Sequence, residues 1–256
     1  MTKVQDLNHS VPVGPLKLAV LESSRSIGEQ VDRYLSMIRH RKPAYMQNSN
    51  LSSVDYDSDS YLLDCHCPRF GTGEGKGMIN ESVRGCDLFL LVDVTNSSLT
   101  YKMNGRITRM SPDDHYQDLK RLIEAANGKA KRVNAIIPFL YEGRQHRRTM
   151  RESLDCAVML QELCNMGVSN IITFDAHDPR MQNAIPLSGF DSFIPVYQFL
   201  KALVANIEDL KIDNNHMMVV SPDEGAMERC IYLSNVLGLS TGVDRKRHTS
   251  ELQSRL

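Results

Sequence analysis

The sequence predicts an α/β fold in which parallel sheets are flanked by helices. Short apolar runs alternate with helical segments along the chain, and a polar cluster follows several of the runs. The clearest example joins a strand at residues 133–137, a helix that ends at the C-capping Gly167, and a second strand at residues 170–174. Short strands joined by a helix form a βαβ unit, in which the strands pair in parallel. The apolar face of this helix is predicted to carry Leu154, Val158 and Cys164.

Size and charge restrict the class of protein. The 256 residues allow one large domain or two small ones, and a hydrophobic content of 41% with 24% charged residues is ordinary for a soluble globular protein. The net charge of −1 provides no overall field for nucleic acid or an anionic membrane, so any anion site must be local. No apolar run approaches the roughly 18 residues that span a bilayer, and the N-terminus does not resemble a signal peptide. We therefore expect a cytoplasmic protein that binds neither nucleic acid nor membranes.

The six cysteines are expected to be free thiols, because disulfides are rare in a reducing compartment. Cys65, His66 and Cys67 are also compatible with a zinc site. No second pair with matching spacing follows them in the sequence, so free thiols are favoured over zinc.

The first half of the chain contains two predicted strands and two predicted helices. A strand at 16–21 precedes a helix at 24–38, and a buried strand at 88–92 precedes a helix that begins at the N-capping Ser111 with Pro112 at its first position. Residues 1–15 are expected to be a loose arm, 46–60 a surface loop, 61–63 a weak extended segment, and 93–110 polar and irregular. The apolar residues at helical spacing are Ile27, Val31, Tyr34, Leu35 and Ile38 in the first helix, and Tyr116, Leu119, Leu122, Ile123 and Ala126 in the second, which ends at Asn127-Gly128.

Residues 70–77 contain four glycines and allow two interpretations. They could cradle a phosphate, but the Gly-Lys-Ser/Thr ending of a Walker loop is missing. A flexible hairpin is therefore the favoured interpretation.

The last part of the chain repeats the strand, polar turn and helix order. A helix runs through Val204 and Ile207, a strand covers 217–220, a helix begins at Met227 and closes at Gly238, and a final strand covers 239–243.

Four polar clusters follow strands, at residues 141–148, 175–180, 221–226 and 244–248. Two are basic and two carry carboxylates, one of them with a histidine. In parallel sheets, ligands bind beyond the carboxyl ends of the strands. Arginines beside metal-binding carboxylates suit phosphoryl or diphosphoryl transfer, which depends on positioning and on charge neutralisation by Mg²⁺ and basic side chains. Each cluster also has a plainer interpretation: Asp223 as a helix N-cap, His177 as a surface histidine with a raised pKa, and the arginines as a solvated face.

Several of these clusters carry a family resemblance. Residues 144–148 (Arg-Gln-His-Arg-Arg) resemble the Arg-Gln-Asp-Arg-Lys segment of ribose-phosphate pyrophosphokinases, and residues 174–177 (Phe-Asp-Ala-His) resemble their Asp-x-His-Ala segment. Further matches in family order lie at residues 81–85, 135–138, 221–223 and 244–247. The resemblance covers about 70% of the chain, from residue 65 to residue 248.

The resemblance implies two similar phosphoribosyltransferase-like domains, at residues 1–186 and 187–256, the second incomplete. It implies transfer of diphosphate from ATP to the 1-hydroxyl of ribose 5-phosphate with Mg²⁺, and assembly of identical chains into dimers or hexamers. Phe70, Gly73 and Glu74 match positions near the adenine, contributed across a subunit interface. The other matched positions are Arg144, Gln145 and His146 for ATP, Asp175, His177 and Asp223 for the metal, and Arg245, Lys246 and Arg247 for catalysis.

The sequence departs from the family pattern at several of these positions. Thr72 and His146 stand where an aspartate is usual, and residues 221–226 differ from the commoner Asp-Ala-Gly-Gly. Arg245 stands where a lysine is expected, with Lys246 beside it; arginine spreads its charge over a planar fork and does not simply replace lysine. The downstream turn that holds the 5-phosphate has no counterpart in these residues. The alternative expectation is therefore a truncated product, or a regulatory relative that binds nucleotide or assembles with a complete synthetase.

Overall fold

In a computed structural model, the chain is described over residues 12–40, 58–126 and 128–244. It divides into two compact units, Met1–Ile194 and Pro195–Leu256. The predicted α/β class is confirmed, because helices flank a parallel sheet in the first unit.

The described part of the first unit holds a five-stranded sheet and two small hairpins. Its strands are β1 (Leu16–Val20), β2 (Cys65–His66), β3 (Met78–Ile79), β4 (Asp87–Leu91), β5 (Thr100–Met103), β6 (Arg106–Arg109), β7 (Arg132–Ile136), β8 (Asn170–Phe174) and β9 (Gly189–Phe193). The large sheet has the order β1-β4-β7-β8-β9, and every neighbouring pair is parallel. All five carboxyl ends therefore lie at one edge. The domain boundary predicted after residue 186 precedes β9, which pairs within this first sheet.

Three long helices accompany this sheet: α1 (Arg25–His40), α2 (Pro112–Ala126) and α3 (Asp155–Asn165). The predicted start of α2 is confirmed in detail. The backbone N–H of Asp114 donates to the Ser111 hydroxyl at 3.2 Å, and the Ser111 N–H donates back to the Asp114 carboxylate at 2.9 Å. This reciprocal pair satisfies two backbone donors at the helix start.

The main core lies on one face of the sheet, against α2 and α3. The apolar stripe predicted for α2 is buried there. The face predicted for α3 was wrong, because Val158 is 61% exposed. The residues of α3 that are buried against the sheet recur every three or four positions along the helix. They are Cys156, Met159, Leu160 and Leu163.

Helix α1 packs differently from the sequence pattern. Its apolar residues Ile27, Val31, Tyr34 and Ile38 are exposed, whereas Gly28, Asp32 and Ser36 are buried. The helix was predicted at the right place, but most of its apolar residues face away from the sheet.

The segment predicted to be irregular at residues 93–110 contains an antiparallel hairpin of β5 and β6. Asn104 and Gly105 form its turn with φ values of 50° and 79°. Positive φ at both central residues is typical of the tight hairpin turn that Asn-Gly favours.

The second unit contains α4 (Val196–Asn206), β10 (Val219–Ser221), α5 (Met227–Leu237) and β11 (Thr241–Val243). Strands β10 and β11 pair in parallel, as expected for strands joined by a helix. Gly238 closes α5 with a φ of 68°, the left-handed conformation that glycine adopts at little cost.

None of the described helices is both long and apolar enough to cross a membrane. All six cysteines are free thiols, as predicted.

Candidate functional site

Two of the predicted polar clusters meet at the carboxyl edge of the large sheet. Strands β7 and β8 are neighbours, so the loops that follow them lie side by side. The rings of His146 and His177, one from each loop, approach edge to face with centroids 5.2 Å apart. The basic cluster and the carboxylate-histidine cluster therefore share one end of the sheet.

A pair of tyrosines anchors the base of the basic loop. The ring of Tyr141 stacks on Tyr116 of α2 at 4.4 Å, and its hydroxyl donates to Asp113 at 2.6 Å. The Tyr116 hydroxyl donates to Glu162 of α3 at 2.6 Å. Burial, helped by these hydrogen bonds, raises the pKa of both phenols above the usual range, so both stay protonated at neutral pH. The loop thus starts from a fixed point between two helices.

The arginines of this loop are open to solvent. The guanidinium of Arg144 lies 6.0 Å from the ring centre of Phe139. Within the described residues, no carboxylate forms an ion pair with any of these four exposed arginines: Arg144, Arg147, Arg148 and Arg151. Arginine forks suit phosphate oxygens, so the loop can attract a polyphosphate.

His146 points into the protein rather than outward with the arginines. Its side chain is 12% exposed and its Nε2 lies 3.4 Å from the Asp178 carboxylate. Its Nδ1 is buried and has no hydrogen-bond partner among the described residues. The pKa of Asp178 is held well below its usual range, mainly by hydrogen bonds from Arg180. His146 therefore joins the two loops through Asp178, and its direct contact with ATP stays a prediction.

The turn after β8 is conformationally strained at a predicted metal-binding residue. Asp175 has a φ of 46°, a left-handed conformation that costs an L-residue roughly 1–2 kcal/mol. Its N–H donates to the Phe193 carbonyl at 2.9 Å, and the Ala176 N–H donates to the Ser192 hydroxyl at 3.0 Å. Strand β9 thus holds Asp175 and the exposed His177 beyond the end of β8. Such strain is concentrated at functional sites.

The third predicted metal residue, Asp223, lies in the second unit. Its Oδ1 accepts a hydrogen bond from the Ala226 N–H at 2.8 Å, just before α5 begins. This contact fits the plainer interpretation, in which the carboxylate stabilises a turn at the helix start. The carboxylate has a second oxygen, so the metal role of Asp223 stays a prediction.

The donor set fits magnesium better than zinc. In the described ranges, no three histidine, cysteine or acidic side chains converge. Magnesium needs few protein ligands, because waters and substrate phosphates complete its octahedral shell, and the Asp175 carboxylate is a suitable oxygen donor. A structural zinc site requires four close protein ligands, and a catalytic one requires three. The thiols of Cys65 and Cys67 instead approach the carbonyls of Val20 and Asp118 at 3.9 and 3.7 Å.

The glycine-rich segment forms a hairpin whose two arms are β2 and β3. The Phe70 N–H donates to the Glu74 carbonyl at 2.7 Å, and Gly73 at the tip has a φ of 95°. Phe70 is 57% exposed and Glu74 is also exposed. In the described part of the chain, no hydrogen bond, ion pair or cation–π contact links either side chain to Arg144, whose ring partner is Phe139, so no such interaction joins these predicted ATP residues within one chain.

Arg245, Lys246 and Arg247 lie outside the described residues. The contact between His146 and Asp178 was missed from the sequence, although an Asp before Pro179 is a recognisable helix-capping signal, and Asp178 does cap the short 3₁₀ helix Pro179–Ala184.

Comparisons with known proteins agree with this architecture. A family model described as the N-terminal domain of ribose phosphate pyrophosphokinase matches residues 16–167. The ribose-phosphate pyrophosphokinase of Corynebacterium ammoniagenes is 26% identical over 214 residues, which cover 78% of this chain and 61% of that protein. That of Vibrio cholerae is 31% identical over 181 residues, which cover 69% of this chain and 51% of that protein.

One solved structure has a similar fold. The phosphoribosylpyrophosphate synthetase from Mycobacterium smegmatis superposes with a TM-score of 0.68 and 21% identity, over 90% of this chain and 63% of that one. The chain thus spans between about half and two thirds of the length of these proteins.

Proposed function

The chain belongs to the ribose-phosphate pyrophosphokinase family, and we propose that it binds ATP with Mg²⁺ and transfers diphosphate to ribose 5-phosphate, giving phosphoribosyl pyrophosphate and AMP. The observation that carries this proposal is the meeting of the loops after β7 and β8, marked by His146 and His177 at 5.2 Å. It sets exposed arginines beside a carboxylate and an imidazole at one edge of the sheet.

The reaction breaks one phosphorus–oxygen bond and forms another. The 1-oxygen of ribose 5-phosphate attacks the β-phosphorus of ATP, and the oxygen that bridges to the α-phosphorus leaves with AMP. The proton of the attacking hydroxyl is released. Negative charge on the phosphate oxygens opposes this attack, so cations held in place before the reaction lower its barrier. Arg144 and the arginines that follow it would supply that charge, with Gln145 as a further ATP contact.

The remaining site residues follow from the family positions. Asp175, His177 and Asp223 would hold the magnesium ion, which when bound neutralises phosphate charge. Phe70, Gly73 and Glu74 would contact the adenine of a neighbouring subunit. That arrangement requires a homo-oligomer, a dimer or a hexamer. Arg245, Lys246 and Arg247 would bind the transferred group and ribose 5-phosphate, and the reaction would take place in the cytoplasm.

The test measures AMP release from ATP, Mg²⁺ and ribose 5-phosphate. We expect Arg144→Ala to reduce turnover by about 100-fold, the usual cost of removing one fixed charge that stabilises a transition state. Arg33→Ala removes another exposed guanidinium, on α1, and should leave turnover unchanged. We also expect His177→Ala to raise the magnesium concentration needed for ATP binding, with His40→Ala as the matched control. A folded chain that neither binds ATP nor releases AMP contradicts the proposal.

A second candidate is a regulatory relative that binds nucleotide and assembles with a complete synthetase. His146 in place of the usual aspartate, held inward by Asp178, favours this alternative. It predicts a stable complex when the chain is expressed together with a complete ribose-phosphate pyrophosphokinase. A chain that stays monomeric or associates only with itself excludes it.

A further inference from the structure

A cavity of about 540 Å³ lies in the first unit, away from the arginine and histidine loops. The hairpin of β5 and β6 forms one wall, and the segment 65–71 forms the opposite wall. The Asn104 N–H donates to the Gly71 carbonyl at 2.8 Å, which joins the two walls. A volume of this size is typical of sites for small organic molecules.

The inner surface of the cavity is mainly apolar. Its floor is formed by the buried side chains of Leu21, Cys65 and Leu122. The hairpin side adds Leu99 and Met110. A ligand that removes this apolar surface from water gains favourable binding free energy, so a mainly apolar ligand is favoured.

The buried charged groups in the walls compensate one another. Arg69 and Asp118 form a two-pronged ion pair at 2.5 and 2.9 Å, and each side chain is only 8% exposed. Burial raises the pKa of the Cys65 and Cys67 thiols to about 11 and about 12, so both are neutral at physiological pH. Glu22 and Lys102 also line the cavity, but both are exposed and hydrated, so a charge on the occupant would gain little from them. A charged group deeper in the cavity would have to give up hydration without gaining an unpaired counter-ion. The cavity therefore favours a neutral molecule.

Flat groups also line the cavity. The guanidinium of Arg69 lies 5.3 Å from the ring centre of Tyr101 on β5, so a guanidinium and a ring already stack within the wall. The exposed ring of Phe70 stands at the mouth. Aromatic faces and guanidinium planes stack on other planar rings.

From these observations we propose that the cavity is a binding site for a neutral, planar, mainly apolar molecule of the aromatic or heteroaromatic class. It is separate from the proposed ATP phosphate site, since neither Arg144 nor His177 lines it. The segment 65–71 continues into the tip of the glycine-rich hairpin between β2 and β3, which carries Glu74. An occupant of the cavity would therefore also stabilise the conformation of that tip.

The test uses the neutral fluorophore N-phenyl-1-naphthylamine, whose emission rises in an apolar site. Leu99→Trp and Met110→Trp each place a large ring at the cavity wall, and Ile107→Trp places the same ring on the same hairpin at a position that is 74% exposed and outside the cavity. The chain has no tryptophan, so each variant also carries a single tryptophan as energy donor to the probe.

We expect saturable one-to-one binding to the natural chain and to Ile107→Trp, and an affinity at least about tenfold weaker, or about 1.4 kcal/mol, for both cavity variants. Circular dichroism checks that all variants are folded, and Met110→Trp serves if Leu99→Trp does not fold. Unchanged binding in the folded cavity variants, or an equal loss in Ile107→Trp, would overturn the proposal. Displacement of the probe by ATP with Mg²⁺ would also overturn the proposal. It would show that the probe binds at the proposed ATP site, whether or not the chain catalyses diphosphate transfer there.

Discussion

Helices α1 and α2 have similar amphipathic sequences and opposite ways of packing. In α2 the apolar stripe of Tyr116, Leu119 and Leu122 lies in the main core. In α1 the corresponding stripe is exposed, with Tyr34 at 60%. The period of the apolar residues therefore identified both helices, but it identified the buried face of only one.

The difference follows from what each helix packs against. Helix α2 meets a broad apolar sheet face. Helix α1 also binds a chain segment through polar contacts: the Asp32 carboxylate accepts from the Tyr61 N–H at 2.6 Å, and the Ser36 hydroxyl donates to the Asp59 carbonyl at 2.9 Å. That segment in turn pairs with the outer strand β1, where the Leu18 N–H donates to the Tyr61 carbonyl. A covered sheet edge resists unwanted pairing, and here polar side chains hold the cover in place.

The largest effect is expected in α2. Leu122→Ala removes a fully buried side chain and leaves a cavity, so we expect a loss of about 2–5 kcal/mol in the free energy of unfolding. Urea denaturation followed by circular dichroism measures it. Glu124→Ala, at an exposed position of the same helix, is the control and should change little. A loss below about 1 kcal/mol for Leu122→Ala would mean that α2 does not anchor this core.

The next effect is expected at the polar contacts of α1. Asp32→Ala leaves the buried Tyr61 N–H without an acceptor, which costs about 1–3 kcal/mol. Asp32→Asn keeps a carbonyl oxygen at the same place and should recover part of the loss. If neither Asp32→Ala nor Asp32→Asn lowers the free energy of unfolding, the carboxylate does not hold the segment around Tyr61. The different packing of α1 and α2 would then need another explanation.

A smaller loss is expected at Gly28, where α1 packs tightly against Val20 of β1. A Cβ atom at this position would overlap both γ-methyl groups of Val20. We expect Gly28→Ala to destabilise the protein by about 1–2 kcal/mol, since overpacking costs about 1–3 kcal/mol and alanine recovers up to about 1 kcal/mol of helix propensity. Val20→Ala makes room, so the double variant should be more stable than the sum of the two single effects predicts. Strict additivity in this cycle would show that the two residues do not touch.

Local signals predicted much of the fold and of the candidate site. Capping residues such as Ser111 and Gly238 marked helix ends correctly, because caps depend on nearby backbone groups alone. The approach of the loops carrying His146 and His177 was predictable, because parallel neighbours bring their carboxyl ends together. The Asn104-Gly105 hairpin was missed although its signal was present, since polar flanking residues obscured the strand pattern.

Other features depended on tertiary contacts that no local pattern records. The exposure of Val158 depends on how α3 is rotated against the sheet, and the apolar period alone allows neighbouring rotations. The inward position of His146 depends on Asp178, which lies in the loop after another strand. The role of Asp223 could not be predicted from the sequence either, because a helix cap and a metal ligand both require a carboxylate at this position.

The smallest effect is expected on the exposed stripe of α1. Val31→Ser should change the free energy of unfolding by no more than about 0.5 kcal/mol, because the residue is 36% exposed and lies outside the buried core of the single chain. Leu119→Ser is the counterpart in α2 and should be severely destabilising, because it buries a hydroxyl in an apolar core. Measuring Val31→Ser at several protein concentrations separates two cases. A loss above about 1 kcal/mol at every concentration contradicts the exposed position, whereas a loss that grows with concentration shows that another copy of the chain covers the stripe in the assembled state.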